Sequence, residues 1–290
     1  MIRILSPQYP VRALCKSLKV SFSAYYAWKR EESHVPSAEK STRAEQVKTV
    51  FEEHRRRYGA LRVSKELERQ GISVGRHQTA TLMKQQGLIA IQPKSFVPKT
   101  TQTDPDLVRS DNLLLEVPKA SRPYEVIGSD ITYLPLRDGH WAYLVAFQDV
   151  FTRVIVGWAL EDNMRSTLVI RALQKAIDRK TLPKGLIVHS DGGGQYASKD
   201  FRQLLQKHQF VQSMTRKNNH YDNAQAESLW SRFKAELLEK GVFDSLEDAY
   251  TETFEYIEIY YNKKRLHSGL DYQCPCTFEQ QFLDALNIQN

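Results

Sequence analysis

VIGSDITYLPL, residues 126–136, is written as a strand with a carboxylate at its centre. Val126, Ile127, Ile131, Tyr133 and Leu134 suit a pleated, half-buried surface. Asp130 does not, because a lone carboxylate buried there without a partner costs several kcal/mol. Two more strand-like runs follow, 141–149 (WAYLVAFQD) and 153–160 (RVIVGWAL), the first reached through the hairpin turn Arg137-Asp138-Gly139-His140. Downstream, 166–180 reads as a helix with Leu168, Ala172, Leu173 and Ala176 on one side. A short buried strand at 186–189, a helix at 199–207, a short strand at 210–213 and helices at 224–240 and 246–261 complete the pattern. The order βββαβαβαα implies a mixed five-stranded sheet flanked by helices, its fourth and fifth strands entered through helices and therefore parallel.

Two further acids stand in special places. Asp191, in HSDGGGQY (189–196), follows the apolar Leu186-Ile187-Val188 at the carboxyl end of a strand, where open α/β sheets place ligand sites. Glu227 lies in the first turn of the helix beginning near Asn223, behind the polar loop 217–222. Strands one and four must be neighbours for these acids to meet Asp130. Clustered carboxylates stay ionised only around a cation, and an all-oxygen set favours Mg²⁺ or Mn²⁺ over zinc. A pair of such ions about 4 Å apart suits phosphodiester chemistry. Taken singly, each acid is equally a cap or a surface charge. The three glycines of HSDGGGQY lack the Gly-Lys-Ser/Thr of a nucleotide loop and read as a turn with a permissive backbone next to the metal, leaving room for a DNA strand.

The 290 residues carry a net charge of +7, unevenly distributed. Residues 1–115 hold 20 Lys+Arg against 11 Asp+Glu, whereas 116–290 hold 21 against 23. A basic first part of this kind binds a polyanion or serves solubility. Within it, 10–30 reads as two short helices, with Ser21 as N-cap of the second, either a helix-turn-helix or a small hairpin. Residues 36–57 form a charged helical pattern ending in Arg55-Arg56-Arg57. Residues 58–88 read as helix, glycine-containing turn and helix, with Arg76 and Lys84 outside. Pro93, Pro98 and Pro105 make 92–115 an extended linker. The expected domains are thus an N-terminal helical segment (1–34), a helix-turn-helix DNA-binding domain (35–91), the linker (92–115) and a catalytic core with C-terminal helices (116–290). No apolar run approaches the roughly 18 residues of a membrane helix, and the start lacks a signal segment, so a cytoplasmic protein is expected. Cys15, Cys274 and Cys276 form no framework and read as reduced thiols.

SDITYL (129–134), HSDGGGQY (189–196), SMTRKNNHYDNAQAESLWSRFKAELL (213–238) and YYNKKRLHSGL (260–270) occur in an order that resembles the OrfB-type transposases of bacterial insertion sequences. The catalytic core of that family is similar to retroviral integrases, with a ribonuclease H-like fold and an Asp, Asp, 35-residue, Glu signature. Here 35 residues separate Asp191 from Glu227. The amino-terminal segments YPVRALCKSLKVSFSAYYAW and RRRYGALRVSKELERQGISVGRHQTATLMKQQGL also look like the family's. The resemblance implies that Asp130, Asp191 and Glu227 are both the catalytic and the metal-binding triad, holding two Mg²⁺ or Mn²⁺ ions, with Asp130 bridging them. It further implies that Lys234, seven residues after Glu227 and on the same helical face, contacts a terminal phosphate; by spacing alone it reads sooner as a surface lysine. Asn223 matches a family position and is expected to cap the helix. The chain departs from the family in having Gly192 and Gly194 where polar residues are usual, and in lacking an aromatic at Ile127.

These implications amount to a DNA transposase that cleaves 3′ ends at the element termini and transfers them by in-line attack, through a circular copied-out intermediate. Arg216, Lys217, Lys263, Lys264 and Arg265 are candidates to follow the DNA backbone, or simply surface charges. His189 reads as a structural histidine. The alternatives are a non-catalytic DNA-binding regulator and a related metal-dependent nuclease. The implied partners are double-stranded DNA (terminal repeats and target), a second copy of the chain on DNA, and OrfA as a partner or fusion, since the chain starts with Met1 and shows no heptad run.

Overall fold

The computed structural model describes residues 1–30, 38–92, 109–216, 219–238 and 241–288. Residues 93–108, most of the expected linker, lie outside the described residues, as does Lys217. The chain divides into two compact units, 1–89 and 90–290.

Among the described residues the first unit is all helical. Helices α1 (Ile2–Leu5), α2 (Val11–Ser17) and α3 (Phe22–Lys29) gather round a small core of Ile2, Cys15 and Tyr25. The Ser21 hydroxyl accepts from Ala24 N at the start of α3, the cap its sequence position predicts. Helices α4 (Ala38–Glu53), α5 (Ala60–Arg69) and α6 (Arg76–Gln85) pack through Val47, Val50, Phe51, Val63, Leu67, Leu82 and Met83. Between α5 and α6 the chain turns at Gly71, whose φ of 77° favours glycine. Ser64 Oγ donates to the carbonyl of Val74 at 2.7 Å and fixes the second helix against the first. Arg76 and Lys84 are exposed on α6.

The second unit is built on a five-stranded sheet of order β3-β2-β1-β4-β5. Its strands are β1 (Val126–Pro135), β2 (Trp141–Asp149), β3 (Ile155–Glu161), β4 (Ile187–Ser190) and β5 (Val211–Met214). The first three form an antiparallel meander, and β4 and β5 run parallel to β1, so this is a ribonuclease H-like core. Helices α7 (Ser166–Arg179), α8 (Gly194–Ala197) and α9 (Lys199–His208) cover one face. Leu168, Ala172, Leu173 and Ala176 of α7 are fully buried, as their spacing predicts. Helix α10 (Ala224–Leu237) packs on β1, followed by α11 (Leu246–Phe254), a π-helical stretch Glu255–Tyr261, and α12 (Pro275–Ile288).

Two features depart from the expected pattern. Residues 109–115, expected as the end of the linker, lie along the edge strand β5: Met214 N donates to Asp111 O at 3.2 Å, Leu113 N to Ser213 Oγ at 3.0 Å, and Ser110 Oγ to Gln212 Oε1 at 3.0 Å. They satisfy an edge that would otherwise present bare backbone groups. Helix α12 has no counterpart in the expected pattern, which ends at 261. It is tied to the sheet by Glu279, which accepts from Lys180 Nζ at 2.6 Å and pairs with Tyr124 OH.

Candidate active site

The sheet register brings the first two carboxylates together. Ser129 on β1 is the parallel partner of Ser190, the last residue of β4, so the residues that follow, Asp130 on β1 and Asp191 just past β4, emerge at the same level side by side. The row beneath them is held rigidly. Ser129 Oγ meets Tyr196 OH at 2.8 Å, and the fully buried Tyr196 ring packs edge-on against Phe201. Gln195 Nε2 donates to Met164 O, and Gln212 Nε2 donates to Tyr196 O. The segment after Asp191 is therefore pinned to the core by Gln195 and Tyr196.

Glu227 comes from the first turn of α10 and is exposed. The chain leading to it is clamped: Arg216 donates through its backbone N, Nε and Nη2 to Asp222 at 2.9, 3.0 and 2.9 Å. That pairing holds the Asp222 carboxyl far below the usual range. His189 is buried and bridges Ser213 Oγ (2.9 Å from Nδ1) and Asp222 O (3.1 Å from Nε2), joining β4, β5 and the turn before α10. Burial lowers its pKa. It is the structural histidine that the sequence suggests. Gln225 Nε2 donates to Gln148 Oε1 at 3.2 Å and ties the start of α10 to β2.

The charges of Asp191 and Glu227 both act on Asp130. Desolvation, then the Asp191 charge, push the Asp130 carboxyl up to about 8; Ile131 N–H, donating at 2.9 Å, opposes, Glu227 adds to the rise, and Lys234 opposes it. Burial also raises Asp191, against the pull of Gly193 N–H at 3.1 Å and the charge of Arg109. Lys234 Nζ lies 4.8 Å from the centre of the Tyr133 ring, its own pKa lowered by burial and raised by Asp130. Among the described residues no three His, Cys, Asp or Glu stand close enough to hold an ion unaided. The acids are neighbours rather than a closed ligand sphere. Their chemistry nonetheless fits a hard divalent cation: the donors are all oxygen, and the repulsion that raises Asp130 is what a bound cation relieves.

The chain matches the Integrase core domain family model over residues 120–220, a second Integrase core domain model over 227–283, and the HTH-like domain model over 39–96. It is 39% identical over 242 residues to the transposase for insertion sequence element IS904 of Lactococcus lactis subsp. lactis (strain IL1403), covering 83% of this chain and 95% of that protein. The chain belongs to the OrfB-type insertion-sequence transposases. A second relative of this transposase is transposase InsF for insertion sequence IS3A of Escherichia coli (strain K12), 34% identical over 278 residues, with 95% of this chain and 96% of InsF covered. Among solved structures, the HTLV-2 integrase catalytic core domain in complex with magnesium has 14% identity and a TM-score of 0.43, covering 55% of this chain and 98% of that one. The Integrase core domain and HTH-like domain matches and the transposase relatives make this a DDE-type enzyme of a family that depends on divalent metal, with domains that bind DNA.

Several expected DNA contacts are spent inside the transposase. Arg265 is 2% exposed and forms a two-pronged ion pair with Glu236, Nη2 to Oε1 at 2.6 Å and Nε to Oε2 at 3.0 Å, so it holds the C-terminal region to α10 rather than a phosphate. Arg57 is buried, although its neighbours Arg55 and Arg56 are exposed. Arg216 is engaged with Asp222. Asn223 precedes α10 but makes no side-chain cap. The three glycines do not use left-handed backbone: none of Gly192, Gly193 and Gly194 has positive φ. Instead, a Cβ at Gly192 would lie 1.8 Å from Nη2 of Arg109, a residue that no sequence pattern singles out.

Proposed function

We propose that Asp130, Asp191 and Glu227 hold two Mg²⁺ or Mn²⁺ ions and that the enzyme uses them to cleave 3′ ends at insertion-sequence termini and join them to target DNA. The observation that carries this reading is the Ser129–Ser190 register, which brings Asp130 and Asp191 side by side, with Glu227 on α10, the helix packed on β1. Bound divalent metal supplies activation of the attacking oxygen and charge stabilisation of the leaving one. The protein's own part is positional. The β1–β4 pairing fixes two ligands, and the Arg216–Asp222 and His189 contacts set the approach of the third. Lys234, held near Asp130, contacts a terminal phosphate.

Chemically, water adds to phosphorus and the 3′ oxygen departs as a hydroxyl; that hydroxyl then attacks a target phosphodiester in line and displaces a second 3′ oxygen. No covalent bond to the enzyme forms. DNA is held through exposed Arg55, Arg56, Arg76 and Lys84 of the helical unit. Two ends must be brought together, so the working form is at least a dimer on DNA, assembled with OrfA as partner or fusion. The test is incubation with DNA from the ends of the chain's own element, with and without OrfA, in Mg²⁺. Wild type is expected to nick and join, and Asp130→Asn to bind without cutting. An Asp130→Asn protein that cuts as well as wild type sinks the reading.

A further inference from the structure

Arg109 reaches the catalytic edge from the segment that runs along β5. Its guanidinium lies over the backbone of Gly192, where an added Cβ would fall 1.8 Å from Nη2, 2.1 Å from Cζ and 2.6 Å from Nη1. Only a residue without a side chain at 192 lets it lie there. The position is built rather than accidental. Nη2 donates to Thr215 O at 3.2 Å, just beyond β5, and the following residues are fastened to that strand through Ser110, Asp111 and Leu113. The charge acts on Asp191, one residue from Gly192. Yet among the described residues Arg109 forms no ion pair within 4.0 Å and gives only this one hydrogen bond, leaving most of a five-donor fork without a protein acceptor there.

A guanidinium fork at the rim of a carboxylate cluster, with donors to spare and no carboxylate partner, has the geometry for a phosphodiester oxygen. We propose that Arg109 is a phosphate-binding residue of the catalytic site, gripping the DNA strand beside Asp191, and that Gly192 is glycine to admit it. The proposal rests on the reading that the triad acts on DNA. It makes the segment entering the core part of the active site rather than a passive tether.

The experiment uses the full chain and a duplex oligonucleotide carrying the element's end, with Ca²⁺ in place of Mg²⁺ so that binding is read without cutting. Arg109→Ala is expected to weaken binding about tenfold and to reduce the slope of log affinity against log salt by about 0.9, as when one phosphate is no longer neutralised. Arg109→Gln keeps an N–H for Thr215 but no charge, and is expected to weaken binding as much, while Arg109→Lys recovers part of it. Gly192→Ala displaces the guanidinium, so it is expected to mimic Arg109→Ala, and the double variant to be no worse than either single one. Wild-type binding by Arg109→Gln would overturn the proposal, because the role would then be neutral packing. Should Arg109→Ala fail to fold, the Gln variant decides. In parallel, wild type is assayed in Mg²⁺ with OrfA present: absence of cutting would defeat the transposase mechanism, whereas normal cutting with unaltered Arg109→Gln binding would defeat this inference alone.

Discussion

Asp130 is the residue at which stability and chemistry are opposed. Its carboxyl is raised from 3.8 to about 8 by desolvation and by Asp191, so the folded protein keeps a proton there that the unfolded chain releases above pH 4 or so. With more protons bound in the native state, stability falls as pH rises from about 4 to about 8. In EDTA, Asp130→Asn is therefore expected to melt above wild type near pH 8, with the gap closing toward pH 4; thermal denaturation across that range checks it, and a gap independent of pH contradicts it. The sequence discloses this residue because a carboxylate interrupts an apolar strand. It discloses Asp191 and Glu227 through their positions at a strand end and a helix start, and through the resemblance, whose family signature has the same 35-residue spacing. Arg109 stays hidden, since it follows a proline-rich segment without periodicity, and its importance depends on a side chain missing from residue 192. Of the two roles the glycines suggest in the sequence, a permissive backbone and room, Gly192 supplies room and not left-handed backbone.

At the scale of elements, α7 approaches β3 unusually closely. A Cβ on Gly157 would stand 2.3 Å from Ala172 O and 2.8 Å from Ala176 N, both backbone atoms of a helix that cannot yield locally. Gly157→Ala is expected to destabilise the core by at least about 3 kcal/mol, measured by denaturant unfolding. The apolar face of α7 is legible from its 3.6-residue period, but the need for glycine opposite it is not, because that depends on tertiary distance. Helix α10 presents the same contrast. Its existence is legible, while the partner of its buried Glu236 lies 29 residues on, at Arg265, with Tyr256 OH donating to the same carboxylate at 2.9 Å. Arg265→Met leaves Glu236 without its buried cation, and is expected to cost about 3–5 kcal/mol by chemical denaturation. A drop in DNA affinity with unchanged stability would instead restore Arg265 to the DNA surface.

Across the whole molecule, charge and chemistry are divided between the two units. Residues 1–89 carry 17 Lys+Arg against 8 Asp+Glu, while the carboxylate triad lies in 90–290. Affinity for duplex DNA is expected to fall steeply with salt, and Arg76→Ala with Lys84→Ala to lessen that slope by about one for each phosphate no longer held. Cleavage at saturating DNA should then be little changed, since neither residue belongs to the carboxylate site. Unchanged affinity and slope would remove α6 from the DNA interface. The strands and the parallel sense of the fourth and fifth are legible from turn residues and helical connections, whereas the β1–β4 neighbourhood follows only from the resemblance to a ribonuclease H-like core. Helix α12 and the strap along β5 are not, since what fixes them are contacts with distant sequence such as Glu279 with Lys180 and Asp111 with Met214.

In the proposed mechanism three carboxylates, from β1, the residue just past β4 and α10, act together on a phosphodiester. The most direct measurement compares wild type with Glu227→Gln on DNA from the element's end in Mg²⁺, reading binding and strand cleavage on the same samples. The variant is expected to retain DNA binding and lose cleavage by at least about a hundredfold, because an amide replaces a charged ligand. Cleavage by Glu227→Gln at the wild-type rate would contradict the account.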